Sequence, residues 1–257
     1  YRDIPVTLDM NACKRNTTET TELKKLFRAF GFHTLLTDMV ATAKTEETRY
    51  HLVDTGEKFH EFLAQLNTQR MIAIDLETTS TNPLMAKIVG ISFSWKAREA
   101  HYIPLMGPEG ASQVSADIVL SQLRPVLEDQ SIKKIGQNIK YDILVLRKNN
   151  IFLQGIAFDT MIASYLLNPG KRNHNLDDIA FEYLSYKTIT TSEVIGSGTE
   201  QITMDKADIA KVCEYACQDA DISFRLAGVM EPRLKENTLS QLLQDVEIPL
   251  IYVLSEM

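Results

Sequence analysis

Met71-Ile72-Ala73-Ile74-Asp75-Leu76-Glu77-Thr78-Thr79 is the stretch whose reading decides the fold. Four apolar residues in a row have the pattern of a strand buried on both faces. Two carboxylates follow, one residue apart. Side chains two apart on a strand share a face, so Asp75 and Glu77 are expected to meet one spot together. In open α/β sheets, ligands sit beyond the carboxyl ends of the strands. Two like charges held side by side there are costly unless a cation neutralises them. The stretch therefore marks a candidate divalent-metal site, with a solvated strand end as the competing reading. With 34 acidic residues in 257, chance alone supplies roughly four acid-x-acid pairs, so the surrounding chain must decide.

Around this strand the pattern is α/β. Tyr50–Val53 is expected as a short strand and Glu57–Leu66 as a helix with Phe59, Phe62, Leu63 and Leu66 on one side. Ile88–Trp95 and Ala100–Pro104 have the pattern of two antiparallel strands with a tight connection. Val114–Leu127 is expected as a helix and Lys133–Gly136 as a strand. Asn138–Lys148 is expected as a helix with Asn138 as its N-cap. Phe158–Leu167 and Asn175–Leu184 give two more helices. Residues 185–204 are polar and contain Gly196-Ser197-Gly198, the pattern of a long mobile loop. Helices return over Asp205–Met230 and from Leu234 onward. Ahead of all this, Glu22–Phe30 has the spacing of a short amphipathic helix closed by Gly31. Thr37–Arg49 has the composition of a linker. The absence of an initiator Met points to a fragment of a longer chain.

Composition narrows the class. An apolar content of 44% and a charged content of 24% are ordinary for a globular protein. No apolar run approaches the ~20 residues needed to span a membrane, and no signal-peptide pattern is present. The net charge of −7 argues against a broad basic surface for duplex DNA. It leaves room for a nucleic-acid enzyme in which metal ions supply positive charge at one point. Cys13, Cys213 and Cys217 are too sparse for a disulfide framework and lack the partners of a zinc site, so reduced thiols in a cytosolic protein are expected.

Two further acids interrupt the patterns around them. Within 205–230, Val212, Tyr215, Asp219, Ile222 and Leu226 fall on one helical stripe. An aspartate in the middle of a buried stripe is expensive unless paired, hydrogen-bonded or metal-bound. Tyr215 lies one turn before it on the same side. Asp221 falls off the stripe and is expected at the surface. Asp142 follows the strand that ends at Gly136, which puts it at a carboxyl edge of the sheet, although the helix macrodipole alone also favours an acid there.

Taken together, DLETTS at 75–80, GQNIKYD at 136–142 and YACQD at 215–219 resemble the three motifs of the 3′–5′ proofreading exonuclease domain of family A, DNA polymerase I-like, DNA polymerases. GIAFDTMIASYLLNP at 155–169 and KTIT at 187–190 are similar to the segments between those motifs. The resemblance implies a ribonuclease H-like mixed five-stranded sheet flanked by helices, of the DEDD-Tyr type. It implies an exonuclease domain over 50–230, with 1–49 as the tail of a preceding 5′-nuclease region and 231–257 as the start of a polymerase region. It also implies two Mg²⁺ or Mn²⁺ ions. Asp75 would be shared by both, Glu77 and Asp219 would complete the first site, and Asp142 would be the outer ligand of the second. Tyr215 would orient the attacking water. Thr78, Gln137, Asn138 and Tyr141 would meet the terminal nucleotide or its phosphate.

The family often places bulky apolar wedges where this chain has Thr81 and Thr191, a departure that bears on how the strand is gripped. Lys171, Arg172, His174 and Lys187 could line the strand, with a solvated face as the other reading of each. The expected partners are a DNA 3′ end and a covalently linked polymerase, in a cytoplasmic, nucleoid-associated monomer. A ribonuclease D-like RNA trimmer and a non-catalytic scaffold are the rival functions.

Overall fold

Strand-forming runs and amphipathic helices alternate along the chain, and they assemble into one mixed sheet with helices packed on it. The structure is a computed structural model that describes residues 47–257 and, ahead of them, Leu23, Leu26, Phe27 and Phe30. Leu23, Leu26 and Phe27 are helical, and the Phe30 amide donates to the Leu26 carbonyl at 3.0 Å. The remaining expectations for residues 1–46, including most of the 37–49 linker, lie outside the described residues.

The six strands are β1 (Arg49–Leu52), β2 (Met71–Thr78), β3 (Ile88–Lys96), β4 (Glu99–Pro104), β5 (Lys133–Gly136) and β6 (Ile156–Asp159), in the order β1-β4-β3-β2-β5-β6. β2–β3 and β3–β4 are antiparallel, whereas β1–β4, β2–β5 and β5–β6 are parallel. The sixth strand corrects the expectation of five. Ile156–Asp159 is only four residues long, and its apolar residues run straight into the helix that follows. Periodicity alone cannot separate so short a strand from a helical first turn.

The first helices along the sheet-forming part of the chain are α1 (Gly56–Leu66), α2 (Ala116–Glu128), α3 (Ile139–Arg147), α4 (Thr160–Leu167) and α5 (Leu176–Leu184). The segment expected as a mobile loop instead holds a short helix, α6 (Thr191–Ile195), and two 3₁₀ turns at Gly198–Glu200 and Met204–Lys206. A capping box between Thr190 and Glu193 closes the start of α6, satisfying two amides that would otherwise favour a loop. The 28-residue α7 (Ile209–Glu236) runs past the boundary expected near residue 230. After a turn at Asn237–Leu239, residues 240–247 pass through a helical turn and a π-helical turn into α8 (Ile248–Glu256). α8 is tied back to α3 by Arg147, which donates to the Ser255 carbonyl at 2.7 Å and pairs with Glu256 at 2.5 Å.

Register sorts the two faces of the sheet. Asp75 pairs with Ser92, and Ser92 with Tyr102, so these residues share one face. On the adjoining strand, small residues at Gly90, Ser92 and Ser94 line that face, and α7 packs across β1 to β5. The opposite face carries Phe93 and His101, against which Phe62 of α1 packs at ring-centroid distances of 5.5 and 5.4 Å. Among the described residues, no helix is long and apolar enough to cross a membrane.

Candidate active site

The alternation of β2 delivers what the strand pattern promised. Asp75 and Glu77 stand on the face covered by α7; Asp75 is partly buried and Glu77 is 6% exposed. Opposite Glu77 lies Gly90, where a Cβ would come within 2.2 Å of the Tyr102 hydroxyl, so only glycine admits that ring beside the acid. From α7, Asp219 reaches the same spot. One carboxylate oxygen from each of Asp75, Glu77 and Asp219 lies within 4.8 Å of the others.

Asp142 stands in the first turn of α3, 3% exposed and outside that tightest group. Its charge still reaches Glu77, and the charge of Asp75 reaches it, so it borders the cluster without joining it. The Leu76 backbone on β2 acts the other way and favours the charged form of Asp142.

Burial pushes the Asp75 carboxyl up to about 7. Glu77 is raised well above the carboxylate range, first by burial and then by the charges of Asp75, Asp219 and Asp142. Asp142 and Asp219 are raised for the same two reasons, burial and then Asp75. Such a group of acids needs protons or cations to stay together. The donor set is all oxygen and clustered, which suits a hard divalent cation such as Mg²⁺ or Mn²⁺. The residues present therefore fit the metal that the sequence motifs imply.

Tyr215, one turn ahead of Asp219, shares a 3.0 Å hydrogen bond with the Thr191 hydroxyl. Burial and the charges of Asp219 and Glu77 push its phenol up, so the ring stays neutral. Gln218 accepts from the Ile189 amide at 2.9 Å and thereby pins the 187–190 segment to α7. A cleft of about 640 Å³ opens beside these groups, lined among others by Glu77, Thr78, Asn138, Tyr141, Thr191 and Tyr215. Thr81 lines it too, and so do Ile195, Ile202 and Met204. Bulky apolar side chains thus reach the cleft from the segment that sequence reading took for a polar loop.

The other expected site residues divide. Thr78 shares a 2.5 Å hydrogen bond with the Tyr141 hydroxyl, and both face the cleft. Asn138 lines it as well and stands at the N-cap position of α3 as expected, but not as a side-chain cap. Its backbone is left-handed at φ 54°, and its side chain makes no cap hydrogen bond. The α3 amide at Ile139 donates instead to Asp159 at 2.8 Å. The other oxygen of Asp159 caps α4 through Met161 and Ile162 at 2.9 and 3.1 Å. Asp159 is 1% exposed and was missed in the sequence because it was read inside a helix.

Gln137 is not among the residues lining the cleft. Its amide nitrogen donates to the His174 carbonyl at 2.9 Å and its oxygen accepts from Thr160, so both ends are engaged within the fold. Lys171 pairs with Glu182 at 2.6 Å, while Arg172 and Lys187 are exposed. Cys213 and Cys217 are buried and free, as expected of reduced thiols.

Asp221 is the plainest correction. Expected at the surface, it is fully buried, accepting from the Arg98 amide at 2.6 Å, the Tyr50 hydroxyl at 3.2 Å and Arg225 at 3.4 Å. A helical stripe presumes one packed face. α7 is buried all round from Ala216 to Ser223, because β1 and the β3–β4 turn cover its second side.

A mixed sheet flanked by helices, with carboxylates gathered at the end of its second strand, defines the ribonuclease H-like class. The chain belongs to the 3′–5′ exonuclease family, whose sequence model matches residues 50–235. It is 37% identical over 250 residues to DNA polymerase I of Pseudomonas aeruginosa, an alignment covering 90% of this chain and 27% of that protein. The chain spans about a quarter of the length of the curated relatives it matches. Among solved structures, it is similar to Brucella melitensis NrnC, with a TM-score of 0.60 and 23% identity over 82% of this chain and 93% of that one. It is also similar to Pol1 from M. smegmatis in complex with DNA primer-template and dNTP, with a TM-score of 0.62 and 18% identity over 80% of this chain and 31% of that one. At these identities the two structural likenesses bear on the fold.

Proposed function

We propose that the chain removes nucleotides from single-stranded or frayed DNA 3′ ends and proofreads for a family A DNA polymerase to which it is joined. The observation that carries this reading is the convergence of Asp75, Glu77 and Asp219 from two separate elements onto one point. In this reading, those three acids hold one divalent ion, Asp75 is shared with a second, and Asp142 supports the second from outside, through water. Bound there, the ions would supply a nucleophile at neutral pH and neutralise charge at the departing 3′-oxygen.

The remaining groups act on the substrate. Tyr215, neutral and fixed by Thr191, holds a water in line with the terminal phosphodiester without itself losing a proton. Thr78, Asn138 and Tyr141 bound the cleft that receives the terminal nucleotide. Gln137 supports the fold behind Asn138 through its bonds to His174 and Thr160, and in this reading contributes indirectly. Residues 50–230 are taken as the exonuclease unit, 1–49 as a tail, and 231–257 as leading into the polymerase, in a monomeric cytoplasmic enzyme associated with the nucleoid.

Incubation of the protein with end-labelled single-stranded DNA and RNA in the presence of Mg²⁺ tests the proposal. Stepwise shortening of DNA from the 3′ end, preferred over RNA, is expected. Preference for RNA would instead favour a ribonuclease D-like trimmer. Absence of hydrolysis together with absence of Mn²⁺ binding would leave only a scaffold.

A further inference from the structure

Tyr165 is a large aromatic side chain left 51% exposed on α4. One face of its ring is covered. It lies on the His174 imidazole with centroids 3.7 Å apart and planes at 25°. That imidazole is immobilised on all sides. It is 5% exposed, its Nε2 lies 3.2 Å from the Lys171 carbonyl, and its Nδ1 lies 2.8 Å from the Ser164 hydroxyl. A carbonyl can only accept, so Nε2 carries a proton there, and the second nitrogen is held by the Ser164 hydroxyl. The His174 carbonyl in turn accepts from Gln137, whose neighbour Asn138 lines the cleft. A rigid ladder of contacts therefore runs from the cleft wall to an aromatic ring with a free face. Arg172 is exposed on the same connection, where it can meet a phosphate.

Rigid aromatic rings backed by a second ring make good stacking platforms, because little conformational freedom is lost when a base settles on them. We propose that Tyr165, backed by His174, is a positioning residue on which a base of the DNA strand upstream of the terminal nucleotide stacks. This rests on the exonuclease reading and extends it by a subsite outside the cleft. Stacking tolerates any base, which suits an enzyme that must accept every 3′ sequence.

The test uses the wild-type protein, Tyr165→Ala and Tyr165→Phe on single-stranded DNA in Mg²⁺, with a single abasic site moved stepwise upstream from the 3′ end. In the wild type, one upstream position should raise KM when abasic. Tyr165→Ala should raise KM on intact DNA by roughly five- to a hundredfold with kcat little changed. The same variant should also abolish the sensitivity at that one position. Tyr165→Phe should behave as wild type in both respects, and thermal unfolding of both variants should match wild type, which separates stacking from a structural role. An abasic profile unchanged in Tyr165→Ala would overturn the platform while leaving the exonuclease reading intact. A wild-type protein that leaves DNA whole would overturn both.

Discussion

Asp219 interrupts a buried stripe of Val212, Ile222 and Leu226, where an aspartate is costly without a partner. Its partners are Asp75 and Glu77, and like charges gathered in a buried place oppose folding. Replacing Asp75 or Asp219 by Asn should therefore have two opposite effects. Hydrolysis should fall on the order of a thousandfold or more with the loss of a metal ligand. The metal-free protein should become more stable by roughly 1–3 kcal/mol, because the buried repulsion is gone. Activity assays paired with chemical denaturation in chelator would show both, and a destabilised Asp75→Asn protein would count against the electrostatic account. Asp221 predicts the reverse. Its carboxylate holds the Arg98 amide, Tyr50 and Arg225 together. Asp221→Ala should cost about 3–5 kcal/mol in denaturation without removing a proposed metal ligand. No stripe argument could find it, since its burial comes from β1 and a distant turn.

At the level of elements, a segment declares its structure in the sequence where one periodicity dominates and conceals it where a strand runs directly into a helix. β2 and α7 were legible because alternation and a helical stripe extend over many residues. β6 was not, since its apolar residues run straight into the helix that follows with no break between them, and Asp159 was hidden with it. The consequence is testable. Asp159 terminates β6, caps α4 and accepts the first amide of α3, so one side chain orients the helix that bears Asp142. Asp159→Ala should lose capping at two helices, roughly 2–4 kcal/mol in all, and hydrolysis should fall as Asp142 is displaced. A stable, fully active Asp159→Ala protein would show that α3 is held by other contacts. The short helix α6 makes the same point from the other side. Its Gly-Ser-Gly neighbourhood reads as loop, yet the Thr190–Glu193 capping box was present in the sequence and marks the helix that carries Ile195 to the cleft.

For the molecule as a whole, the acidic cluster couples stability to pH and metal. A carboxyl held at about 7 in the folded state, against an ordinary value near 4, keeps its proton longer in the fold than in the unfolded chain. The folded state therefore binds more protons between those values, and stability falls as pH rises through that window. In chelator, the melting temperature should drop between about pH 4 and 7 from this source. Added Mn²⁺ should raise it more at pH 8 than at pH 5, since cations replace the lost protons. A metal effect independent of pH would mean that the carboxylates do not share the ion. The central claim is that Asp75, Glu77 and Asp219 together make a cation site on which 3′-end hydrolysis depends. The most direct measurement follows mononucleotide release from 5′-labelled single-stranded DNA by wild type and Asp75→Asn, each with Mg²⁺ and with chelator. Release by wild type with Mg²⁺ alone is the predicted result; equal release by Asp75→Asn, or by wild type in chelator, would contradict it.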